Sequence, residues 1–410
     1  MPSLSVRSVT MFSKCAEGLR GTVNRLYLER DALLRRGKPV TDLIGGPVYP
    51  HDIYPPGLVS EALRYGAEQA RVYRPDPLGQ RVAREAIRDD YEAVGLSIPP
   101  DQIVLTPGTS LSYWYAFKLF ADVGDEILCP CPTYPLFETI AALAGVRIVS
   151  YPLDASRQWA MDLADLEARI TVKSRAIILI SPHNPTGAVA SADEVAALAA
   201  LARRYRLPII SDEVFSPFLF TSSSFPRPAA TSAPLVVTLN GLSKGWALPG
   251  MKIGWMALSG ETALVRSALE ALSVLSDTFL PVNEVAQFAL REIMRQGQPF
   301  LAAYQCTVKD CAELAVRLLS QSPRLRLVHP AGGFYLSACV VSPTLDDEAL
   351  ALDLLRQHHI LVHPGFFYDL PPSHFVFRFA SEPTAVAEGL STLIHHLAGR
   401  IPFPKTWAED

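Results

Sequence analysis

Residues 174–187 read Ser174-Arg-Ala-Ile-Ile-Leu-Ile-Ser-Pro-His-Asn-Pro-Thr-Gly187, an apolar run that stops at a turn. An unbroken apolar run bounded by Pro and Gly is the pattern of a strand buried on both faces. A second run, Leu207-Pro-Ile-Ile-Ser-Asp-Glu-Val-Phe215, ends in an acidic pair. A third, Pro234 to Leu239, leads into Asn240-Gly-Leu-Ser-Lys-Gly245, and a fourth opens at Lys252-Ile-Gly-Trp-Met256. Asn184, Asp212 and Lys244 thus each follow an apolar strand. Their separations are roughly the thirty residues of one strand–helix–strand unit. Parallel strands of an open α/β sheet bring their ends to one crevice, where ligands bind.

The same alternation runs from Gln102 to about Leu280, with strands near 102–106, 126–129, 147–151, 175–181, 208–211, 235–239 and 252–258. It predicts an α/β fold: a mostly parallel seven-stranded sheet between two layers of helices. Helical patterns cover 14–36, 57–74 and Gly79 to about Val94, with a short strand from Val40 to Ile44 before Gly45-Gly46-Pro47. A long helical region begins near Val282. After Pro323, short strands (Leu325 to His329, Gly333 to Ala338, Ile360 to His363, Phe375 to Phe379) sit between helices. The expected organisation is a large ligand-binding domain over 46–295 and a smaller α/β domain over 296–410, which the N-terminal segment 1–45 joins.

The chain has 410 residues, 49% apolar and 19% charged, which suits a globular enzyme with a large core. Its net charge of −4 gives no electrostatic pull toward nucleic acid. No secretory signal pattern and no membrane-spanning apolar stretch is visible. The six cysteines (Cys15, Cys129, Cys131, Cys306, Cys311, Cys339) form no disulfide framework, and Cys129-Pro130-Cys131 is too tight for the usual zinc pairs. They are expected to be reduced and mostly buried, as in a cytoplasmic protein. The 34 prolines read as loop punctuation.

A lysine in a Ser/Gly turn between two buried strands is badly placed for a surface charge. Lys244 is well placed to form an imine with an aldehyde cofactor, and pyridoxal 5'-phosphate (PLP) needs such an amine together with an acidic partner for its ring nitrogen. The bland alternative is a solvated loop lysine.

With Asn-Pro-Thr-Gly at 184–187, Ser-Asp-Glu-Val-Phe at 211–215, Gly-Leu-Ser-Lys-Gly at 241–245 and the late Arg378, the chain resembles the class I and II aminotransferases of PLP fold type I. The likeness spans about Asp42 to Arg378. The Gly-Leu-Ser-Lys form resembles the bacterial alanine-aminotransferase branch. The resemblance implies that Lys244 carries PLP and moves the Cα proton, that Asp212 pairs with the pyridinium nitrogen, and that Asn184 donates to the phenolic oxygen. It assigns the phosphate to Gly108, Thr109 and Ser110 after the first strand of the alternation, with Lys252, and counts Ser243 among the cofactor-binding residues. A glycine turn at a helix N-terminus offers free N–H groups to such an anion, although Thr109 or Ser110 alternatively caps the helix. Tyr134 would stack on the ring, or else be a core tyrosine. Arg378, alone among aromatics in Phe375 to Phe379, would grip the substrate α-carboxylate with Gly45 and Asn184 nearby. Tyr73 would reach the phosphate of the neighbouring subunit of a homodimer.

Two positions depart from the family pattern. Lys252 stands where Arg is usual, which keeps the charge but loses the planar fork and implies looser cofactor binding. Phe215 stands where Tyr is usual and cannot donate to the phenolic oxygen, which should raise the pKa of the cofactor imine. These departures leave room for elimination, oxidation or cyclisation of an amino acid by the same cofactor. A PLP-sensing regulator would carry a further domain ahead of the fold, and only about 40 residues precede the first strand here. Retention of Lys244 and Arg378 argues against an inert binding module. His183, Tyr113, Trp114 and Trp246 either line the substrate pocket or pack the core.

Overall fold

The computed structural model describes residues 11–18, 23–45, 53–221, 225–342 and 345–400. The helical pattern at 14–36 is two helices, α1 (Lys14–Gly18) and α2 (Arg25–Arg35), and residues 19–22 between them lie outside the described set. A two-residue strand, β1 (Thr41–Asp42), follows, and Gly46-Pro47 of the expected turn are also outside it. Next come α3 (Leu58–Gln69) and α4 (Arg81–Ala93).

The main α/β body then runs β2 (Ile103–Thr106), α5 (Thr109–Phe120), β3 (Glu126–Cys131), α6 (Leu136–Ala144), β4 (Arg147–Asp154), β5 (Ala160–Met161), α7 (Leu163–Ala168), β6 (Ser174–Ile180), α8 (Ala192–Tyr205), β7 (Ile209–Asp212), β8 (Leu235–Gly241), β9 (Gly254–Gly260) and α9 (Thr262–Phe279). The sheet has eight strands in the order β2-β9-β8-β7-β6-β3-β4-β5. The expected seven are all present. The addition is β5, an antiparallel edge strand too short to leave a pattern in the sequence. Pairings β3–β4, β3–β6, β6–β7 and β7–β8 are parallel, whereas β9 runs against both β2 and β8.

The unbroken apolar runs follow from this arrangement, because successive side chains go to opposite faces and both are covered. Ile178 and Ile180 pack with Tyr113, Phe117 and Phe137 of α5 and α6. Ile177 and Leu179 pack with Val195 and Leu198 of α8. Local signals fix the helix starts. Ser191 and Glu194 form a reciprocal capping box at the start of α8.

The helix α10 (Glu284–Ser320) runs unbroken for 37 residues, with Pro299 inside it. That proline is an exception to the expected loop placement. Beyond it lie β10 (Leu325–Leu327), β11 (Tyr335–Val340), α11 (Asp347–His358), β12 (Ile360–Leu361), β13 (His363–Pro364), β14 (His374–Arg378) and α12 (Pro383–Arg400). A four-stranded sheet, β10-β11-β14-β13, forms the smaller C-terminal unit, and β1 pairs with β12. All six cysteines are free, but only Cys129 and Cys311 are buried, while Cys15 and Cys306 are exposed. The expectation of mostly buried thiols therefore fails: Cys15 and Cys306 lie on outer surfaces of α1 and α10.

Candidate active site

The C-terminal ends of β6, β7 and β8 open on a cavity of about 460 Å³, closed on another side by the start of α5. Asn184, Asp212, Ser243, Lys244 and Lys252 line it, as do Gly108, Thr109 and Ser110. Tyr134, Phe215 and Tyr335 complete an aromatic part of the wall.

Asp212 is the last residue of β7 and is buried. Its Oδ2 accepts from the Tyr113 hydroxyl at 2.7 Å and its Oδ1 from the Val214 N–H at 3.1 Å. Burial pushes its carboxyl pKa up, opposed by these two donors and by Lys244. Lys244 sits three residues past β8. Burial holds its amine below the usual lysine range, the Arg378 charge adds to that, and Asp212 pulls the other way. Asn184 lies in the turn after β6, where His183 N–H donates to Ala188 O and Gly187 N–H to His183 O. The turn is closed by backbone groups, and the buried Asn184 Oδ1 has no hydrogen-bond partner. A side chain needed only for turn formation would be engaged.

At the other end of the cavity, Gly108 is the N-cap of α5 with φ 139°, a conformation that favours glycine, and no side chain caps the helix. The Thr109 and Ser110 hydroxyls therefore do not serve the capping role. A Cβ on Gly254 would lie 3.0 Å from Gly108 Cα and Thr109 N, so the missing side chain lets β9 approach this turn. Lys252 is held at φ 53° at the end of a short 3-10 turn, Pro249–Met251, rather than in the strand it precedes.

Arg378 ends β14 and is 5% exposed, yet its Nε has no hydrogen-bond partner. Its N–H donates to Leu43 O at 2.6 Å, and two residues on Gly45 N–H donates to Asp42 Oδ1 at 2.7 Å. Gly45 thus lies two residues beyond the backbone bond that ties Leu43 to Arg378, and neither Gly45 nor Arg378 lines the cavity itself. Tyr335, the register partner of Arg378 across β11–β14, joins the two regions. Burial pushes its phenol up to about 12. Sequence reasoning missed Tyr335 because its only signal was a strand position opposite Arg378.

Tyr134 is 43% exposed at the cavity, which excludes the core-tyrosine alternative. Phe215 is buried, its ring 4.9 Å from that of Phe334 and 6.0 Å from Tyr335. Tyr73 is 69% exposed beyond α3 and does not line the cavity. Of the four residues left open between pocket and packing, only Tyr113 lines the cavity. Trp246 packs in the core against Gly297, Trp114 stacks edge-on to Phe279, and His183 bonds Thr186 through Nδ1 at 2.9 Å.

The profile of the family described as "Aminotransferase class I and II" matches residues 49–393. The chain belongs to the class I and II aminotransferases. These are PLP-dependent enzymes, and this aminotransferase moves an amino group between an L-α-amino acid and a 2-oxo acid. It is 32% identical over 341 residues to an alanine aminotransferase of Mycobacterium tuberculosis, covering 81% of this chain and 79% of that one. It is 31% identical over 316 residues to the glutamate-pyruvate aminotransferase AlaA of Escherichia coli, covering 73% and 76%. Its fold matches an alanine aminotransferase from Pyrococcus furiosus with a TM-score of 0.87 and 27% identity, over 95% of this chain and 100% of that one. These relatives place the aminotransferase in the alanine-aminotransferase-like branch and do not favour elimination, oxidation or cyclisation.

The residues present fit PLP. The uncapped α5 terminus beside Lys252 suits a phosphate, and the half-enclosed Lys244 amine beside Asp212 suits an aldehyde on a basic ring. The buried Arg378 Nε is a donor that the protein itself leaves unused; the unpartnered Asn184 Oδ1 can only accept, so donation to a phenolic oxygen would fall to the Asn184 Nδ2 amide.

Proposed function

We propose that this aminotransferase holds PLP covalently at Lys244 Nζ and exchanges amino groups between the alanine–pyruvate and glutamate–2-oxoglutarate pairs. When bound, the cofactor supplies an aldehyde for amines and a ring that accepts the electrons of the Cα–H bond. Gly108, Thr109 and Ser110, with Ser243 and Lys252, hold its phosphate through helix N–H groups, hydroxyls and one ammonium. Tyr134 stacks on its ring, Phe215 packs beside it without donating a hydrogen bond, and Asn184 donates to its phenolic oxygen. Asp212 faces the ring nitrogen as a carboxylate. Arg378 forks onto the substrate α-carboxylate with Asn184 and Gly45 alongside, which orients the Cα–H bond. Lys244 would take that proton from Cα and deliver it on the far side of the amino nitrogen, two atoms away, a role helped by an amine held below the usual lysine range.

One observation carries this reading: Lys244 and Asp212 share one cavity wall, with a buried, under-bonded Arg378 acting electrostatically on the lysine. The test is to add PLP to the purified protein, follow the visible absorbance, then add alanine. Conversion of the bound cofactor to its amino form with one pyruvate per site, and none with Lys244→Ala, is the expected result. Ammonia release without that conversion would overturn it.

We further propose a cytoplasmic homodimer in which Tyr73 reaches the phosphate site of the other subunit. Support comes from apolar residues left exposed around α3 and the end of α9, among them Tyr65, Val72, Tyr73, Phe279 and Leu280. No described helix is long and apolar enough to cross a membrane. The division into 46–295 and 296–410, with 1–45 joining the latter, is supported by the separate sheets and by the β1–β12 pairing.

A further inference from the structure

We propose that Tyr113 is a positioning residue that keeps the shared proton on the cofactor ring nitrogen rather than on Asp212, an inference that rests on the reading of the site above. The geometry is specific. Tyr113 lies on α5, one turn past the Gly108–Ser110 phosphate turn, and its hydroxyl donates to Asp212 Oδ2 at 2.7 Å. Its ring is fixed by edge contacts with Phe137 at 4.8 Å and Phe117 at 6.1 Å. The other carboxylate oxygen accepts from Val214 N–H. One helix therefore carries both the phosphate turn and a donor to the acid, so anchoring of the phosphate and aim of the carboxylate are set together.

The chemistry follows from the donor. A hydrogen bond donated to a carboxylate favours its charged form and makes it a weaker base. The phenol itself stays protonated, because burial and the Asp212 charge drive its pKa well above the usual value. It is therefore an obligate donor. A proton shared between the ring nitrogen and Asp212 then resides on nitrogen, where the positive charge draws electrons from the substrate Cα. Without the phenol, Asp212 becomes the stronger base and the same proton moves onto it, leaving a neutral acid and a neutral ring. No proton is gained or lost in that exchange.

The test uses holoenzyme loaded with PLP labelled with nitrogen-15 in the ring. The ring resonance of the unmodified protein is expected at the protonated position. In Tyr113→Phe it should move toward the unprotonated position, with kcat lowered about 10- to 100-fold, as for loss of a hydrogen bond to a charged group, and KM little changed. Replacing Tyr113 by 3-fluorotyrosine strengthens the donor without removing it and should hold the proton on nitrogen at least as firmly. That variant carries the test alone should Tyr113→Phe fail to fold. An unmoved resonance in Tyr113→Phe, or a 3-fluorotyrosine protein shifted toward the unprotonated position, would overturn the role of Tyr113 while leaving the cofactor assignment intact. A protein that takes up no PLP would overturn both.

Discussion

Asp212 and Glu213 are adjacent buried carboxylates with opposite surroundings. Asp212 lines the cavity and is met by a neutral hydroxyl and one backbone N–H. Glu213 is fully enclosed behind the sheet, accepting from Ser211 at 3.0 Å and from the Arg227 guanidinium. Burial pushes the Glu213 carboxyl up to about 7, against the pull of Arg227. The contrast extends past this pair. At the cavity, Asn184 Oδ1 is left without a partner, as is Arg378 Nε behind Tyr335. On the core side, His363 bonds Tyr27 at 2.6 Å and Tyr368 at 3.0 Å. Arg378 Nε and Asn184 Oδ1 are left under-bonded at a cost to the empty protein's stability, whereas Glu213 and His363 are closed by the protein itself.

Breaking the closed side should give the largest effect. Arg227→Met removes the cation that keeps buried Glu213 ionised, so Glu213 must take up a proton or stand uncompensated, and should cost up to about 3–5 kcal/mol in chemical denaturation at mildly alkaline pH. Turnover per folded, loaded subunit should change little, and pairing the substitution with Glu213→Gln should recover much of the loss. Full stability in Arg227→Met alone would erase the distinction. On the open side, Asp212→Asn should leave the denaturation midpoint unchanged or raised and lower turnover by about 10²–10³-fold, the scale of removing one preorganised electrostatic partner.

Acid should separate the two sides next. His183 and His363 are held neutral by burial, with pKa values lowered to about 3 and about 4. As pH falls below the usual histidine value, near 6.5, the unfolded chain takes up protons that the folded chain refuses. The stability these residues contribute is thus present above about pH 6.5 and lost toward pH 4. Denaturation at pH 7 and pH 5 should show a smaller loss for His363→Gln than for the unmodified protein.

A smaller, opposite effect is expected at Lys244. Its charged form is disfavoured in the folded state, so at neutral pH the folded protein bears that cost. Lys244→Met should therefore stabilise the cofactor-free protein by about 0.5–2 kcal/mol while abolishing turnover. The smallest change belongs to Lys252→Arg, which restores the planar fork and should tighten PLP binding by less than about tenfold. Equal or weaker binding on titration with PLP would show that the lysine already suits its left-handed site.

Most of the frame was legible in sequence because buried parallel strands leave continuous apolar runs, and each of the seven expected strands recurs within a few residues. The edge strand at 160–161 left no such trace. The cavity residues at strand ends were legible for the same reason: Asn184, Asp212 and Lys244 stand at the boundaries of those runs. What escaped were groups whose meaning depends on pairing across the sheet or between layers. Tyr335 matters because it faces Arg378 in register, and Tyr113 because its hydroxyl crosses from α5 to β7. Neither relation has a fixed sequence separation, so no spacing rule could have found them.

The long helix α10 has a mechanical consequence. At 1.5 Å per residue its 37 residues make a rod of about 55 Å that touches α3 and α4 at one end and β10 and α12 at the other. Pro299 has no N–H to give the carbonyl four residues earlier, so the rod has one joint where bending sacrifices no backbone bond. Any bending between the two sheets would cost least at that joint, and Pro299→Ala, by supplying the missing bond, should stiffen it.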